Sequence, residues 1–565
     1  MKKILIFSLA AMALVGCDME MDLFRSDTMT SDKFREDPGA ATYTTDGNYA
    51  LFKDMVESYD SANSYVRHYF QMAEFRGDNC TMAEPTTDPL YRTFCYDDDG
   101  SAKNNSYLWY IGYKIIFGAN SNIESIQDGF SVESDYIKGE NLFLRALVHF
   151  HLVNIYAKPY SCGRDNLGVV LRTSTDCSVT KRATVGEVYD QVVADLIKAA
   201  QLMEKGKRRG DAGYASREAA LGLLSRVYLY MDENDKCIEA ASQILASDPF
   251  TNLDSNVADY FKNARTSHET LFCIAHAKED TRSKSAIGSM YYATNGMGSD
   301  GWAQIYYSDP LIELFERFPN DKRFTSYFSM YKVQEGQKMI HWPIDEGNYY
   351  RANVLVTKGN AYPAGVKDNG DGTYSFTHEG KNYTTTPKQI NKYLTRHYIN
   401  FNGKETQVYV RPAVDAMSGH YNTYPLYLCS KFSGQDGDPM LSSPVFLRYS
   451  EVVLNRAEAY AKTGQKALAL KDLNAIRKRA GIPEMTDQLM ADLGHTDLVE
   501  VILEERRLEL HHEGHRAFDV WRNKGTMDRE FAGYHPWGKV EYTDNRIPHR
   551  IPFDEISASG IPQNE

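Results

Sequence analysis

The sequence predicts a mainly α protein: a tetratricopeptide-like helical-repeat scaffold interrupted by a large, irregular, loop-rich insertion that contains short β-hairpins. Three observations lead there. Long stretches carry apolar residues at helical spacing. Two of the later helical pairs align with each other residue by residue, as repeats do. Between those pairs, roughly 251–443, the chain alternates Tyr, Gly, Asn, Asp and Pro with short strand-like runs and loses helical periodicity.

The chain starts with the basic Met1-Lys2-Lys3 and an apolar run from Ile4 to Val15, the pattern of a secretory signal. The run closes on Leu14-Val15-Gly16-Cys17, which resembles a bacterial lipobox, in which the cysteine becomes the first mature residue and is acylated. On that reading 1–16 is a lipoprotein signal peptide and 17–29 an acylated tether, with Cys17 as the lipidation site. An ordinary secretion signal that happens to contain a cysteine is the alternative. The acidic Asp18, Glu20 and Asp22 resemble the surface-export signals of some Gram-negative lipoproteins. Beyond Cys17 no apolar run is long enough to span a bilayer. Residues 30–565 are expected to form a single domain, with its scaffold mainly in 106–250 and 444–525 and its loop-rich, ligand-facing part mainly in 60–105 and 251–443.

The first helix is expected over Ser106 to Gln127, where Leu108, Trp109, Ile111, Tyr113, Ile116 and Ala119 favour one face. The second runs from Tyr136 to Tyr156 and stops before Pro159. Thr184, three residues before Glu187, forms a capping box for a third helix through Met203. The aligned pairs follow. Ser225 precedes Tyr228, Cys237, Ala241 and Ile244 by three, twelve, sixteen and nineteen residues; Ala457 precedes Tyr460, Ala469, Leu473 and Ile476 by the same offsets. A small residue lets two helices approach, and the tyrosine fills the space beside it. Within the insertion, Gly372 to Phe376 and Lys381 to Thr385 form a hairpin, and Asp368 to Gly372 form a turn rather than a calcium loop.

The formal charge of −13 argues against a nucleic-acid partner, whose phosphates call for a basic face. With 39 Tyr, 25 Phe and 5 Trp the chain is rich in flat rings, which suit sugar- or peptide-binding surfaces and helical cores alike. Of eight cysteines, Cys80–Cys95 and Cys162–Cys177 are expected as loop disulfides in an oxidising compartment, and Cys237 as a core residue. His511 and His515 are four apart, but His-Glu-x-x-His is absent and Gly514 interrupts the helix, so no metal site is expected. Neither a phosphate loop nor a Gly-x-Ser-x-Gly elbow is present, and no cofactor is expected.

Several segments together resemble the SusD/RagB family of outer-membrane nutrient-binding lipoproteins. They are Gly139-Glu140-Asn141-Leu142-Phe143-Leu144-Arg145-Ala146, Arg182-Ala183-Thr184-Val185 with Glu187-Val188-Tyr189, and Leu447-Arg448-Tyr449-Ser450-Glu451-Val452 running into Asn455-Arg456-Ala457-Glu458-Ala459-Tyr460. Glu505-Arg506-Arg507-Leu508-Glu509-Leu510, Glu513-Gly514-His515-Arg516 and His549-Arg550-Ile551-Pro552 continue the series. The resemblance implies a SusD-like fold. It also implies a non-catalytic binder of oligosaccharides or peptides that sits on a SusC-like, TonB-dependent outer-membrane transporter, held to the membrane by its acyl anchor. Most of these motif residues are structural: carboxylates beside arginines keep depressed pKa values, which suits an ion network better than a general acid. A helical scaffold that binds only protein partners, or a surface glycosidase or peptidase, also remains open.

A sugar offers an apolar C–H face ringed by hydroxyls, so its site needs exposed aromatic planes beside planar hydrogen-bonding groups. Two irregular segments meet that need. The first supplies Arg76, Asp78, Tyr91, Arg92, Phe94 and Tyr96; the second supplies Tyr291, Tyr292, Asn295, Trp302 and Tyr306. Trp109, on a helical face, is expected in the core.

Overall fold

The computed structural model describes residues 39–53, 64–82, 85–178, 180–292, 301–331, 333–345, 350–352, 365–414, 425, 427–535 and 538–564. Cys17 and Asn295 lie outside the described residues. The scaffold is a stack of antiparallel helices that begins with α1 (Ala40–Ala50), α2 (Tyr65–Glu74) and the short α3 (Pro89–Phe94). It continues through α4 (Lys103–Ser125), α5 (Val132–Tyr156), α6 (Val185–Leu202), α7 (Arg217–Tyr230) and α8 (Asn234–Ser242). After the insertion, which holds α9 (Asp309–Glu316) and α10 (Lys322–Tyr327), come α11 (Tyr449–Lys462), α12 (Lys466–Ala480), α13 (Asp487–Asp492), α14 (Leu498–Leu510), α15 (Arg516–Arg522) and α16 (Phe553–Ser559). Each of α4 to α8 packs on the next, α8 packs on α11, and α11 packs on both α12 and α14. Among the described residues no helix is long and apolar enough to cross a membrane.

Local chemistry sets these elements. The capping box at α6 is formed: Thr184 Oγ1 accepts from the Glu187 amide at 3.1 Å, and Glu187 Oε2 accepts from the Thr184 amide at 2.7 Å. A Cβ at Gly139 of α5 would lie 2.6 Å from the Met203 side chain, so only glycine allows the α5–α6 approach. The two aligned pairs are α7–α8 and α11–α12. Their small residues, Ser225 and Ala457, are fully buried, and Asn455 of α11 donates to Ser225 Oγ at 3.1 Å where the helices cross. One hydrophobic cluster extends from Phe52 to Ile561 and joins scaffold and insertion.

The insertion holds more regular structure than the sequence suggests. The hairpin is present, with strand Tyr374–His378 paired to Lys381–Thr384. Beside it lies a four-stranded antiparallel sheet in the order Thr386–Asn391, Leu394–Phe401, Lys404–Val414, Val333–His341. Its outer strands, Thr-Pro-Lys-Gln-Ile-Asn over Thr386–Asn391 and the polar Val-Gln-Glu-Gly-Gln-Lys start of Val333–His341, show little apolar alternation, which hides them from periodicity. Trp342, fully buried, packs with Phe376, Ile399 and Val408 to form this region's own core. At Asp368 to Thr373 the carboxylates accept local backbone N–H groups, the turn that the sequence implies.

Neither expected disulfide is present: Cys80, Cys95, Cys162, Cys177, Cys237, Cys273 and Cys429 are all thiols. Cys80 sits in a buried strand paired with Ile305–Tyr307, whereas Cys95 ends α3. Cys162 Sγ faces the Tyr542 carbonyl at 3.2 Å. Short spacing in sequence is not proximity of Cβ atoms.

The charges of the C-terminal motifs form a buried ion network. Arg448 donates to Glu509 at 2.5 Å and to both oxygens of Glu513 at 2.8 Å. Arg323 reaches Glu505 at 2.7 Å and Glu509 at 3.2 Å, Arg477 reaches Glu505 at 2.6 Å, and Arg479 bridges Glu509 and Glu269. Arg506 holds Asp519 at 2.9 Å, and Arg522 holds Glu458 at 2.6 Å. Burial pushes the Glu458 and Asp519 carboxyls up, but the arginines outweigh it and hold both at about 2.

Acid should therefore unfold the protein in two stages. Burial lowers His149 and His535 to about 3 and His276 to about 4, against roughly 6.5 in an unfolded chain. Both groups bind more protons when unfolded, so stability rises with pH. The histidine contribution is present above about pH 6.5 and is lost as pH falls toward 4. The carboxylate contribution is present above about pH 4 and is lost between there and about 2. Melting temperature should fall from about pH 6.5 downward and more steeply below about pH 4. A melting temperature flat between about pH 7 and 5 would contradict the histidine stage.

Candidate functional site

Trp302 is held out from the surface by a backbone clamp. The Ser289 carbonyl accepts from the amides of Trp302 at 2.7 Å and Ala303 at 2.9 Å, and the Met290 carbonyl accepts from Gln304 at 2.9 Å. Ser289 Oγ accepts from the Trp302 amide as well, at 3.2 Å. The indole remains 44% exposed although its flanking residues, Gly301 and Ala303, are buried. Lys284 Nζ stands 5.2 Å from the indole ring centre, and Tyr292 is half-buried at the other end of the loop. Ala303 adopts φ +45°, a left-handed conformation that costs about 1 kcal/mol or more for a residue with a Cβ. That strain sits beside the one exposed indole among the described residues.

Gly301 has no room for a side chain: a Cβ there would lie 2.1 Å from the Tyr292 carbonyl oxygen. Gly301→Ala must therefore move the Trp302 clamp. On a ligand-binding role for Trp302, affinity should weaken about tenfold, as for loss of a positioned anchor, and the melting temperature should fall as well, because Ser289, Met290, Gly301 and Ala303 of the clamp are buried. Calorimetric titration beside a thermal melt checks both; unchanged affinity would show that the clamp does not position the ring.

The other expected residues divide sharply. Tyr91 is half-buried, with its ring 6.2 Å from that of Tyr534. Arg92 is exposed and pairs with Asp99 at 2.7 Å. Arg76, Asp78, Phe94, Tyr96, Tyr291 and Tyr306 are buried, so their expected place at a ligand surface is corrected. Arg76 is paired with Asp98 and lies over the Tyr96 ring at 5.0 Å, and Tyr96 donates to the Arg76 carbonyl. Asp78 accepts from Arg516 at 2.7 and 2.9 Å and lies 3.3 Å from Arg507. Burial would raise its carboxyl, but the two arginines hold it at about 2. Phe94 lies beneath the Arg529 guanidinium at 4.3 Å, Tyr291 stacks on Phe432 at 5.5 Å, and Tyr306 lies opposite Thr81 in the buried strand pair. The irregular first segment thus supports the loops from within and presents few ring faces outward.

A second aromatic surface escapes the sequence reading. A cleft of about 490 Å³ opens between α4, the segment 170–177 and α16. Trp109 and Tyr113 form its floor; Tyr110 and Phe117, 50% and 47% exposed, stand on its rim. Trp109, expected in the core, is indeed buried, and its Nε1 donates to Glu555 Oε2 at 3.1 Å. Tyr113 donates to the Val170 carbonyl at 2.7 Å. The signal was present in α4: Tyr110 and Phe117 fall off the core stripe, seven residues or about 10.5 Å apart along one exposed face. Counting apolar residues for a core face hides the ones that point away from it.

Residues 268–559 match the model of the SusD family, and 45–229 match a model described as starch-binding, associating with the outer membrane. The chain is 23% identical over 496 residues to SusD-like protein P38 of Formosa agariphila, covering 84% of this chain and 83% of that protein. A SusD superfamily protein from Bacteroides thetaiotaomicron superposes with a TM-score of 0.67 at 23% identity, over 93% of this chain and 99% of its own. A laminarin-binding SusD-like protein superposes with a TM-score of 0.58 at 18% identity, over 93% and 98%. These likenesses in structure show the fold. Because the first model alone covers more than half of its length, the chain belongs to the SusD family.

Proposed function

We propose that this protein captures oligosaccharides or polysaccharides at the cell surface and delivers them to a SusC-like, TonB-dependent outer-membrane transporter, itself performing no chemistry. The observation that carries the proposal is Trp302: a flat, exposed indole fixed by its backbone and flanked by Lys284, the arrangement on which a sugar's C–H face can stack. The α4 cleft offers aromatic rims of the same chemistry. The buried carboxylates support a non-catalytic role, because Glu458, Glu509 and Asp519 are engaged by arginines and held ionised. Acylation at Cys17 would keep the site at the outer membrane, facing outward, where proximity to a pore matters more than high affinity.

Calorimetric titration of the purified protein with laminarin-, malto-, xylo- and manno-oligosaccharides tests the reading. At least one series should bind, without being shortened on chromatographic analysis. No heat with any series, together with binding of peptides, would transfer the site to peptides; hydrolysis of a bound sugar would overturn the non-catalytic role.

A further inference from the structure

The structure gathers a set of soft ligands that the sequence scatters. Helix α14 ends at Leu510, His511 turns to an extended conformation, and His512 takes a left-handed φ of +65° before Gly514 at +79°. This turn aims two successive imidazoles inward, and both are fully buried. Their Nδ1 atoms face each other at 2.8 Å. The Nε2 atom of each ring is buried with no hydrogen-bond partner. An orphaned nitrogen on each of two neighbouring buried rings is costly, and calls for something that satisfies it.

Sulfur approaches these rings from two other parts of the chain, in two neighbouring groups that share His512. Cys429 Sγ and one nitrogen from each of His511 and His512 all lie within 4.8 Å of one another. Cys80 Sγ, a Glu74 carboxylate oxygen and a His512 nitrogen do the same, so His512 belongs to both groups. Tyr307, opposite Cys80 in the paired strands, donates its hydroxyl to Cys429 Sγ at 3.7 Å. Glu74 is engaged by Asn79 and by the amides of His512 and Gly514. Lys431, the nearby cation, is neutralised by Glu513 at 2.7 Å.

We propose that Cys429, His511 and His512, completed by Cys80, form a structural zinc site. Two thiolates and two imidazoles are a tetrahedral zinc set, and bonds of about 2.0–2.3 Å draw such groups closer than they stand here. Each cysteine gives up its thiol proton on binding, so two protons leave, and two thiolate charges cancel those of the ion. The buried site then carries no net charge. The helical His511–His515 pairing is not used: α14 has ended, and His515 is buried beside Glu451 and Arg226. The site rests on the described geometry alone and is independent of the glycan reading.

The purified full chain, made without an affinity tag in zinc-supplemented medium, should carry close to one zinc per molecule by plasma mass spectrometry after exhaustive mild EDTA dialysis. Unfolding and refolding with cobalt should yield a thiolate-to-cobalt charge-transfer band. Cys429→Ser should reduce zinc at least tenfold, whereas Cys237→Ser, a buried cysteine that meets the Asn455 carbonyl, should retain it. Less than a tenth of an equivalent of zinc with no cobalt band in the wild type would overturn the proposal, whatever the variants do. So would zinc that survives Cys429→Ser, which marks surface binding, or a Cys80–Cys429 disulfide found by peptide mapping.

Discussion

Glu509→Ala should destabilise the protein by about 3–5 kcal/mol, the range for removing one partner of a buried ion network. Glu509 lies between three guanidinium groups: Arg448 at 2.5 Å, Arg323 at 3.2 Å, and Arg479. Its carboxyl is held well below the usual range, because Arg479, Arg448 and Arg323 together outweigh the effect of burial. Deleting it removes one negative charge from a site closed to water and leaves Arg448, Arg323 and Arg479 with only their other carboxylates, among them Glu513, Glu505 and Glu269. The pairs themselves are weak grounds for stability, since desolvation offsets most of their attraction; the loss comes from stranding the partners. Glu405→Ala is the matched control. It pairs with Lys388 at 2.6 Å, but both side chains are exposed, so the change should cost about 0–1 kcal/mol. Urea midpoints of wild type, Glu509→Ala, Glu509→Gln and Glu405→Ala distinguish the cases. Equal midpoints for the Glu509 and Glu405 variants would show that the network carries no such role; failure of Glu509→Ala to accumulate folded, with Glu509→Gln intermediate, agrees with it.

On the proposed function, Trp302→Ala should weaken oligosaccharide binding by about tenfold to a hundredfold, the loss expected for an aromatic anchor. The melting temperature should change little, because the indole is 44% exposed and outside the core. Trp302→Phe should recover part of the affinity, since a smaller ring keeps the stacking face. Calorimetry and thermal melts on the same samples measure both. Unchanged affinity in Trp302→Ala would remove this loop from the site; Tyr110→Ala in the α4 cleft would then be the variant that weakens binding.

These predictions differ in how far the sequence alone supports them. The helices were legible because each rests on contacts between neighbours three or four residues apart: the Thr184–Glu187 box and the matched offsets after Ser225 and Ala457 all lie within short windows. The structural character of the C-terminal arginines and carboxylates was legible too, as a charge pattern on a helix. Their partners were not. Arg323 reaches α14 from 182 residues away, and Asp78 meets Arg516 across 438 residues. The first irregular segment looked like a sugar platform because composition cannot distinguish a ring that faces solvent from one that fills a loop's interior.

The sequence by itself determined the repeat scaffold, the position of the insertion, the likeness to the SusD family and the choice of Trp302 as an exposed ring. Those follow from periodicity, from turn residues and from a tryptophan beside a glycine. Only the tertiary structure decided that Arg76, Asp78, Phe94, Tyr96, Tyr291 and Tyr306 are interior, that Tyr110 and Phe117 rim a cleft, and that Cys80, Cys429, His511 and His512 meet. The physical reason is the same in each case. Whether a side chain faces water, a cleft or another ligand depends on which distant segments pack against it, and that follows from the whole chain's burial of apolar surface rather than from any window of sequence.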